Sequence, residues 1–116
     1  MYVVVLVTVS SKKEADKIAS CLINKKVAAC VNIVPAVSSI FWWQGKADSQ
    51  EELLLLIKSK KSKLPSIIKL VKSLHSYTVP EIIALPIIAG EKQYLKWIDE
   101  SLTFKKLKAN NKKGAG

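Results

Sequence analysis

Apolar residues recur along the chain with two spacings, one typical of strands and the other of helices. Residues 2–9 read YVVVLVTV, and such a run of β-branched side chains predicts a strand. Ser11 and Glu14 have the spacing of a capping box, which places the start of a first helix. Apolar residues at every third or fourth position predict two further helices at residues 62–75 and 91–102. Residues 81–88 predict another strand.

Two long strand-like segments, residues 29–43 and 46–60, flank Gln44 and Gly45. A glycine-containing pair between two such segments is typical of a tight hairpin turn. About fourteen residues at 3.3 Å each span roughly 46 Å, whereas a 100-residue domain has a radius of gyration of about 13 Å. The hairpin is therefore expected to project beyond the body of the domain. Pro35 cannot donate a backbone hydrogen bond, so it predicts a bulge partway along the first arm.

The predicted order of elements is β-α-β-β-α-β followed by a short terminal helix. This is the split βαβ order of a ferredoxin-like α+β fold, in which the helices cover one face of the sheet. A sheet face in contact with water should carry polar residues at alternate positions. Residues 53–57 read LLLLI and residues 82–85 read IIAL, so both faces of these strands are apolar. Self-association would cover the second face, and we therefore expect an obligate oligomer.

The composition fits one globular domain followed by a basic tail. The chain has 116 residues, 49% of them hydrophobic, and a formal net charge of +10. All 19 basic residues are lysines, against 9 acidic residues, and five of these lysines follow residue 104 without an acidic residue among them. We therefore divide the chain into a folded domain at residues 1–102 and a basic tail at residues 103–116, which is expected to be disordered. No arginine is available for bidentate recognition of phosphate or guanine.

The cysteine content and the hydropathy pattern both bear on where the protein resides. Cys21 and Cys30 are too few for a disulfide framework and lack the CxxC spacing of a structural zinc site. Residues 1–11 lack the basic start and the cleavage site of a secretory signal. The longest uncharged stretch, residues 27–45, contains several polar residues and a proline, which argues against a membrane span. We predict a cytoplasmic protein that does not contact the membrane.

Four stretches of the sequence together resemble those of one known protein family. They are AACVNIVPAVSSIFWWQGK at residues 28–46, EELLLLIKSK at 51–60, HSYTVPEIIALPI at 75–87 and YLKWI at 94–98. In these stretches the chain resembles the CutA family of divalent-cation-tolerance proteins, and the resemblance covers residues 2–102. It implies a ferredoxin-like fold and a homotrimer related in architecture to the nitrogen-regulatory PII proteins. It also implies a link to copper and heavy-metal tolerance.

The resemblance also bears on copper binding. In family members proposed as copper binders, the ligands are a cysteine late in the first strand and two histidines before a Tyr-x-x-Pro-Glu motif. Aligned on these motifs, this chain has Val7 and Leu74 at two of the three positions, and only His75 matches. A soft copper site requires thiolate and imidazole ligands together. His75 is therefore a weak metal ligand at most, and copper or another divalent cation is expected to bind weakly, if at all.

Two charged residues border the apolar strands and point to a polar pocket. Glu81 opens one strand and Lys58 closes another, and a carboxylate in apolar surroundings is costly unless it has a partner. We group Lys58, His75, Tyr77 and Glu81 into one candidate ligand-binding pocket at a subunit junction, with Tyr94 as a weaker member. A structural ion pair between Lys58 and Glu81 explains the same pattern, so both interpretations stay open.

Trp42 and Trp43 lie beside the hairpin turn, and neighbouring side chains on a strand point to opposite faces. We predict that they anchor the hairpin against a neighbouring subunit. An aromatic platform that stacks a base or another ring is the alternative.

Three classes of function compete at this stage. No recognised spacing joins a nucleophile to a base or two carboxylates to a metal, so catalysis is not predicted. Ferredoxin-like RNA-binding domains carry aromatic residues on a central strand, whereas LLLLIKSK has none, so nucleic acid is not the expected partner. We therefore predict a homotrimer, linked to divalent-cation tolerance, that binds a metal ion or a small ligand at subunit junctions. A PII-like signalling or scaffold trimer without a direct metal role is the alternative.

Overall fold

A computed structural model describes residues 1–103 of the chain. The elements in this range are β1 (Tyr2–Val9), α1 (Lys12–Asn24), β2 (Cys30–Trp43), β3 (Lys46–Lys60), α2 (Leu64–Leu74), β4 (Ile82–Pro86) and α3 (Lys92–Ser101). The strands form one antiparallel sheet in the order β2-β3-β1-β4. The predicted split βαβ fold is confirmed. All but the first residue of the predicted basic tail lies outside the described residues.

The ends of three elements differ from the predicted ones for local reasons. A 3-10 turn occupies Lys61–Lys63, so α2 begins at Leu64 rather than at residue 62. β4 is assigned as far as Pro86, and one further backbone bond, from Ile87 N–H to the Tyr2 carbonyl at 2.9 Å, follows it. The Glu91 carboxylate accepts the backbone N–H groups of Gln93 and Tyr94, so Glu91 caps α3 instead of forming its first residue.

The core lies between one face of the sheet and the helices α1 and α2. Strand residues alternate between the two faces, so every second residue of β1 and β3 points toward the helices. The buried apolar side chains of this core include Val3, Val5, Val7, Val9, Leu55, Ile57, Ala15, Ile18, Leu22, Ile67 and Val71. Val7, at the position of the family's proposed cysteine ligand, is therefore a core residue with no exposed surface.

The opposite face of the sheet is apolar over its middle, and we call it the open face. It carries Leu6, Leu54 and Leu56 on the central strands. On the edge strand β4 it carries Ile83 and Leu85, which are 50% and 47% exposed. As predicted from the sequence, both faces of the strands are apolar although α1 and α2 cover only one of them.

α3 covers one end of the open face, a feature that the sequence analysis did not anticipate. The Tyr2 hydroxyl donates to the Asp99 carboxylate at 2.5 Å, and Lys60 Nζ lies 2.6 Å from the same carboxylate. Tyr2 and Lys60 are paired across β1 and β3 and share the face that carries Leu6 and Leu56. The exposed apolar surface of the open face therefore begins in the middle of the sheet, includes its β4 edge and continues along the hairpin to Phe41 and Trp43.

The β2–β3 hairpin extends well beyond the domain body, as predicted. The described residues extend over 54 × 28 × 24 Å, with a radius of gyration of 15.5 Å. The register between β2 and β3 shifts between Val34 and Val37, which is the bulge predicted at Pro35. Gln44 and Gly45 both have positive φ angles, 50° and 79°, as the tight turns of two-residue hairpins require.

Candidate functional site

The loop after α2, residues 75–81, is fixed to the end of β1 through His75. The imidazole is fully buried, and its Nε2 lies 2.7 Å from the carbonyl oxygen of Thr8. Its Nδ1 accepts the backbone N–H of Tyr77 at 3.0 Å. Because Nδ1 accepts, the neutral ring carries its proton on Nε2 and donates it to the Thr8 carbonyl. Both ring nitrogens are in use, so a metal ion can bind His75 only by breaking one of these bonds.

Glu14 ties the same loop to the start of α1. The Ser11 hydroxyl caps α1 by accepting the Glu14 N–H at 3.1 Å, and Glu14 accepts the Ser10 N–H at 3.2 Å. The second carboxylate oxygen of Glu14 accepts the Ser76 N–H at 2.6 Å. Burial alone would raise the pKa of Glu14, but the hydrogen bonds from Ser76 and Ser10 outweigh it and lower the pKa below its ordinary value. Glu14 thus completes the capping box of α1 and also holds the loop after α2.

Tyr77 connects the loop to the base of the hairpin. Its hydroxyl donates to Glu52 Oε2 at 2.8 Å. Burial of the phenol, together with this bond to a carboxylate, raises the pKa of Tyr77 to about 12. Glu52 itself is only 7% exposed, although it is a charged residue. Glu52 forms no ion pair among the described residues. The one hydrogen bond described for its carboxylate comes from an uncharged group, the Tyr77 hydroxyl.

A cleft of about 840 Å³ opens between this loop and the hairpin. Its lining includes three carboxylates and three aromatic rings, those of Asp48, Glu52 and Glu81, and of Phe41, Trp43 and Tyr77. No lysine lines the cleft in the described part of the chain, although the whole sequence has 19 lysines and 9 acidic residues. The cleft is therefore acidic within a strongly basic protein, which favours cationic ligands.

A second polar group lies further along the open face. Lys58 Nζ donates to Asn32 Oδ1, and Cys30 Sγ lies 3.9 Å from the same oxygen. The pKa of Tyr94 is raised, mainly because the phenol is buried and to a smaller extent because it contacts Cys30. Lys58 and Tyr94 therefore share one neighbourhood, which is built around two residues of β2.

The five predicted pocket residues thus fall into two groups within one protomer. His75, Tyr77 and Glu81 belong to the loop beside the cleft, and Lys58 and Tyr94 belong to the second group. Lys58 is paired with Val4 on β1, four residues from Thr8, or about 13 Å along the strand. The Glu81 side chain is exposed rather than surrounded by apolar residues, so the environment expected for it from the sequence is absent in the protomer.

The two tryptophans beside the turn differ in what they contact. Trp43 is paired with Lys46 and lines the cleft, whereas Trp42 is paired with Ala47 on the opposite side of the hairpin. Their side chains are exposed by 60% and 79%. The interface role predicted for both residues remains a prediction.

Sequence reasoning missed two residues that shape the site. Glu52 lies in the polar stretch that precedes LLLLI, yet it is buried and accepts a hydrogen bond from Tyr77, 25 residues away. Asn32 carries no motif of its own, and only the pairing of β2 with β3 brings it to Lys58. Within residues 1–103, no three histidine, cysteine or acidic side chains cluster closely enough to hold a metal ion.

Comparison with known proteins identifies the family to which this chain belongs. The family model described as CutA1 divalent ion tolerance protein matches residues 3–101. The chain belongs to the CutA1 family. This membership confirms the resemblance read from the sequence and links the chain to divalent-cation tolerance.

Relatives and solved structures agree with this assignment. The chain is 50% identical over 98 residues to the divalent-cation tolerance protein CutA of Thermus thermophilus, an alignment that covers 84% of this chain and 95% of the relative. It is 46% identical to Protein CutA 1, chloroplastic, of Oryza sativa, covering 85% of this chain but 56% of that protein. The structure of the periplasmic divalent cation tolerance protein CutA from Archaeoglobus fulgidus matches with a TM-score of 0.86 at 43% identity, covering 89% of this chain and 100% of that one.

The names of these relatives mention more than one compartment, the chloroplast and the periplasm. The cytoplasmic location predicted from the sequence therefore remains a prediction. None of the helices in residues 1–103 has the length and apolar character needed to cross a membrane.

Proposed function

We propose that this CutA1 family protein acts in divalent-cation tolerance as a cytoplasmic homotrimer that binds a metal ion or a small ligand at its subunit junctions, without catalysis. The observation that carries this proposal is the acidic cleft between residues 75–81 and the hairpin. Its three carboxylates lie in a chain whose net charge is +10, so the local charge is opposite to that of the whole protein. Such a reversal favours a cation at this position.

The open face supports the placement of the cleft at a junction. Ile83 and Leu85 expose about half of their surface on β4, and the cleft residue Thr8 lies on the same face of β1. A neighbouring subunit that covers this apolar surface also approaches the cleft. The number of three subunits rests on the family resemblance. In a trimer, Lys58 of one subunit would approach Glu81 of the next, as the sequence analysis proposed.

The donor atoms around the cleft favour hard cations over copper. Carboxylate and hydroxyl oxygens suit magnesium, calcium and manganese, whereas copper is held best by thiolate and imidazole ligands. The single histidine is buried and uses both ring nitrogens within the chain. We expect copper to bind weakly, through displacement of a His75 hydrogen bond or through a cysteine.

Calorimetric titration with Mn²⁺ and Cu²⁺ tests this proposal. Mn²⁺ should bind the unchanged protein, and Glu52→Gln should weaken binding by about tenfold or more, because a charged ligand contact contributes about 1.5–3 kcal/mol. Glu51→Gln is the matched control, since Glu51 is the exposed neighbour on the other side of the hairpin. Tight copper binding that survives His75→Ala and the loss of both cysteines would contradict the proposal.

A PII-like signalling or scaffold trimer without a direct metal role is the second candidate. It is favoured by the lack of a preformed metal cluster among residues 1–103. In that case no divalent cation should bind in the titration, while the trimer mass should be retained.

A further inference from the structure

We infer that the acidic cleft recognises an extended organic polyamine of the spermidine type. This inference rests on the proposed function, since it assigns a ligand class to the same cleft. Three features of the cleft carry it: the environment of Glu52, the spacing of the carboxylates and the aromatic walls.

Glu52 is the first feature. Only 7% of its surface is exposed, yet its only described hydrogen bond is the one that Oε2 accepts from the Tyr77 hydroxyl. No described residue donates to the other oxygen, Oε1, and Glu52 lines the cleft. A buried carboxylate with a single neutral donor lacks the positive partner that such groups normally have. Oε1 does not belong to the buried oxygens without a partner, so it is accessible from the cleft, where an ammonium group would replace water and supply the positive charge.

The spacing of the carboxylates is the second feature. Glu52 and Asp48 are four residues apart on β3 and share one face of the hairpin, which separates them by about 13 Å. Within the described residues, no three acidic groups converge on one point in a way that could hold a metal ion. A ligand that satisfies both carboxylates therefore carries its positive charges apart from one another. A polyamine has this distribution of charge.

The aromatic walls are the third feature. Phe41 and Trp43 lie on the same side of the hairpin as Asp48, and Tyr77 closes the cleft from the loop. Aromatic faces attract ammonium groups and also pack against methylene chains. A bare metal ion gains little from such walls, whereas the segments between the nitrogens of a polyamine would cover them.

The experiment is a calorimetric titration of the full chain with four matched probes. Spermidine should bind most tightly, 1,4-diaminobutane less tightly and butylamine weakly, because each lost charge removes one contact with a carboxylate. The uncharged 1,4-butanediol should not bind. MnCl₂ is titrated in parallel so that cation binding as such is measured separately.

Two pairs of variants locate the binding site. Glu52→Gln should weaken spermidine binding roughly 10- to 100-fold, and Trp43→Leu about 3- to 30-fold. Glu51→Gln and Trp42→Leu should bind like the unchanged chain, because both residues face away from the cleft. Trp43 is 60% exposed, so its replacement tests the site even if the Glu52 variant does not fold.

The outcomes separate this inference from the proposed function. Binding of Mn²⁺ without binding of spermidine would overturn the inference and leave the proposed function in place. Binding of neither would overturn both. Spermidine binding that is equally weakened by the two members of each variant pair would also overturn the inference, because it would then reflect general charge attraction. Loss of oligomer mass in Glu52→Gln, together with no amine binding, would show that a second copy fills the cleft.

Discussion

At the scale of single residues, the hydrogen bond between Tyr77 and Glu52 fixes a largely buried carboxylate in the wall of the cleft. It holds a carboxylate against the loop and leaves one of its oxygens free of described donors. Tyr77 could be identified as a site candidate from the sequence because it lies in HSYTVPE. Glu52 could not, because a glutamate in the run SQEELLLLI has no local feature that indicates burial. Its environment depends on a contact 25 residues away.

The phenol of Tyr77 should titrate later than an ordinary tyrosine. Its pKa is raised from 10.0 to about 12, so the contact contributes fully to stability below pH 10 and is lost as the pH rises through 12. Absorbance of the phenolate, followed from below pH 10 to above pH 12, should show a last step near pH 12 that is missing in Tyr77→Phe. Tyr94→Phe is the control and should retain that late step. A Tyr77 phenol that titrates at 10.0 would contradict the described contact.

At the scale of elements, local sequence signals were sufficient for most of the fold. β-Branched runs, helical spacing and the Gln44-Gly45 turn identified the strands, the helices and the hairpin. The position of α3 over one end of the open face could not be predicted, because it depends on contacts of Asp99 with Tyr2 and Lys60. The separation of Lys58 from Glu81 within one protomer agrees with the placement of their pairing at a subunit junction, but its distance could not be predicted, since strand order alone gives no register.

The contact between α1 and residues 75–81 should depend on Glu14. Glu14→Gln removes the charge that accepts the Ser10 and Ser76 amides, and we expect a loss of about 1–3 kcal/mol in the free energy of unfolding. Because the pKa of Glu14 is lowered, its contribution is present above its ordinary value of 4.5 and is lost as the pH falls below it. Denaturant unfolding at neutral and acidic pH measures both effects.

Asp16→Asn provides the control for this experiment. Asp16 pairs with Lys12 on the exposed side of α1, and its carboxylate is 2.8 Å from Lys12 Nζ. Such exposed pairs contribute about 0–1 kcal/mol. If Glu14→Gln and Asp16→Asn had equally small effects, Glu14 would not be holding the loop.

At the scale of the whole molecule, the proposal of self-association rests on the apolar open face, which α1 and α2 leave uncovered. Leu6, Leu54 and Leu56 form an apolar centre, flanked by the exposed side chains of Ile83 and Leu85. The sequence indicated this surface because both faces of the strands are apolar. It could not indicate which residues meet across the junction, since that depends on how the subunits pack.

Substitutions of Lys58 and Glu81 test whether the two polar groups meet in the proposed trimer. If they pair in a fully buried junction, Lys58→Met and Glu81→Gln should each destabilise the trimer by roughly 3–5 kcal/mol, because each leaves an uncompensated charge. The double variant should lose less than the sum of the single variants. Thermal unfolding of the four proteins, with Glu51→Gln as a control, measures this coupling. Additive shifts near zero would mean that the two residues do not meet.

The mass of the unchanged protein in solution tests the central claim, that the open face is covered by self-association around the cleft. Light scattering at low micromolar concentration should return three times the 12.8 kDa mass of one chain. This expectation follows because the partly exposed apolar centre of the sheet and the exposed Ile83 and Leu85 beside it favour burial in an oligomer, and the family resemblance sets the number at three. A mass of 12.8 kDa under the same conditions would contradict the account, because the open face would then remain in contact with water.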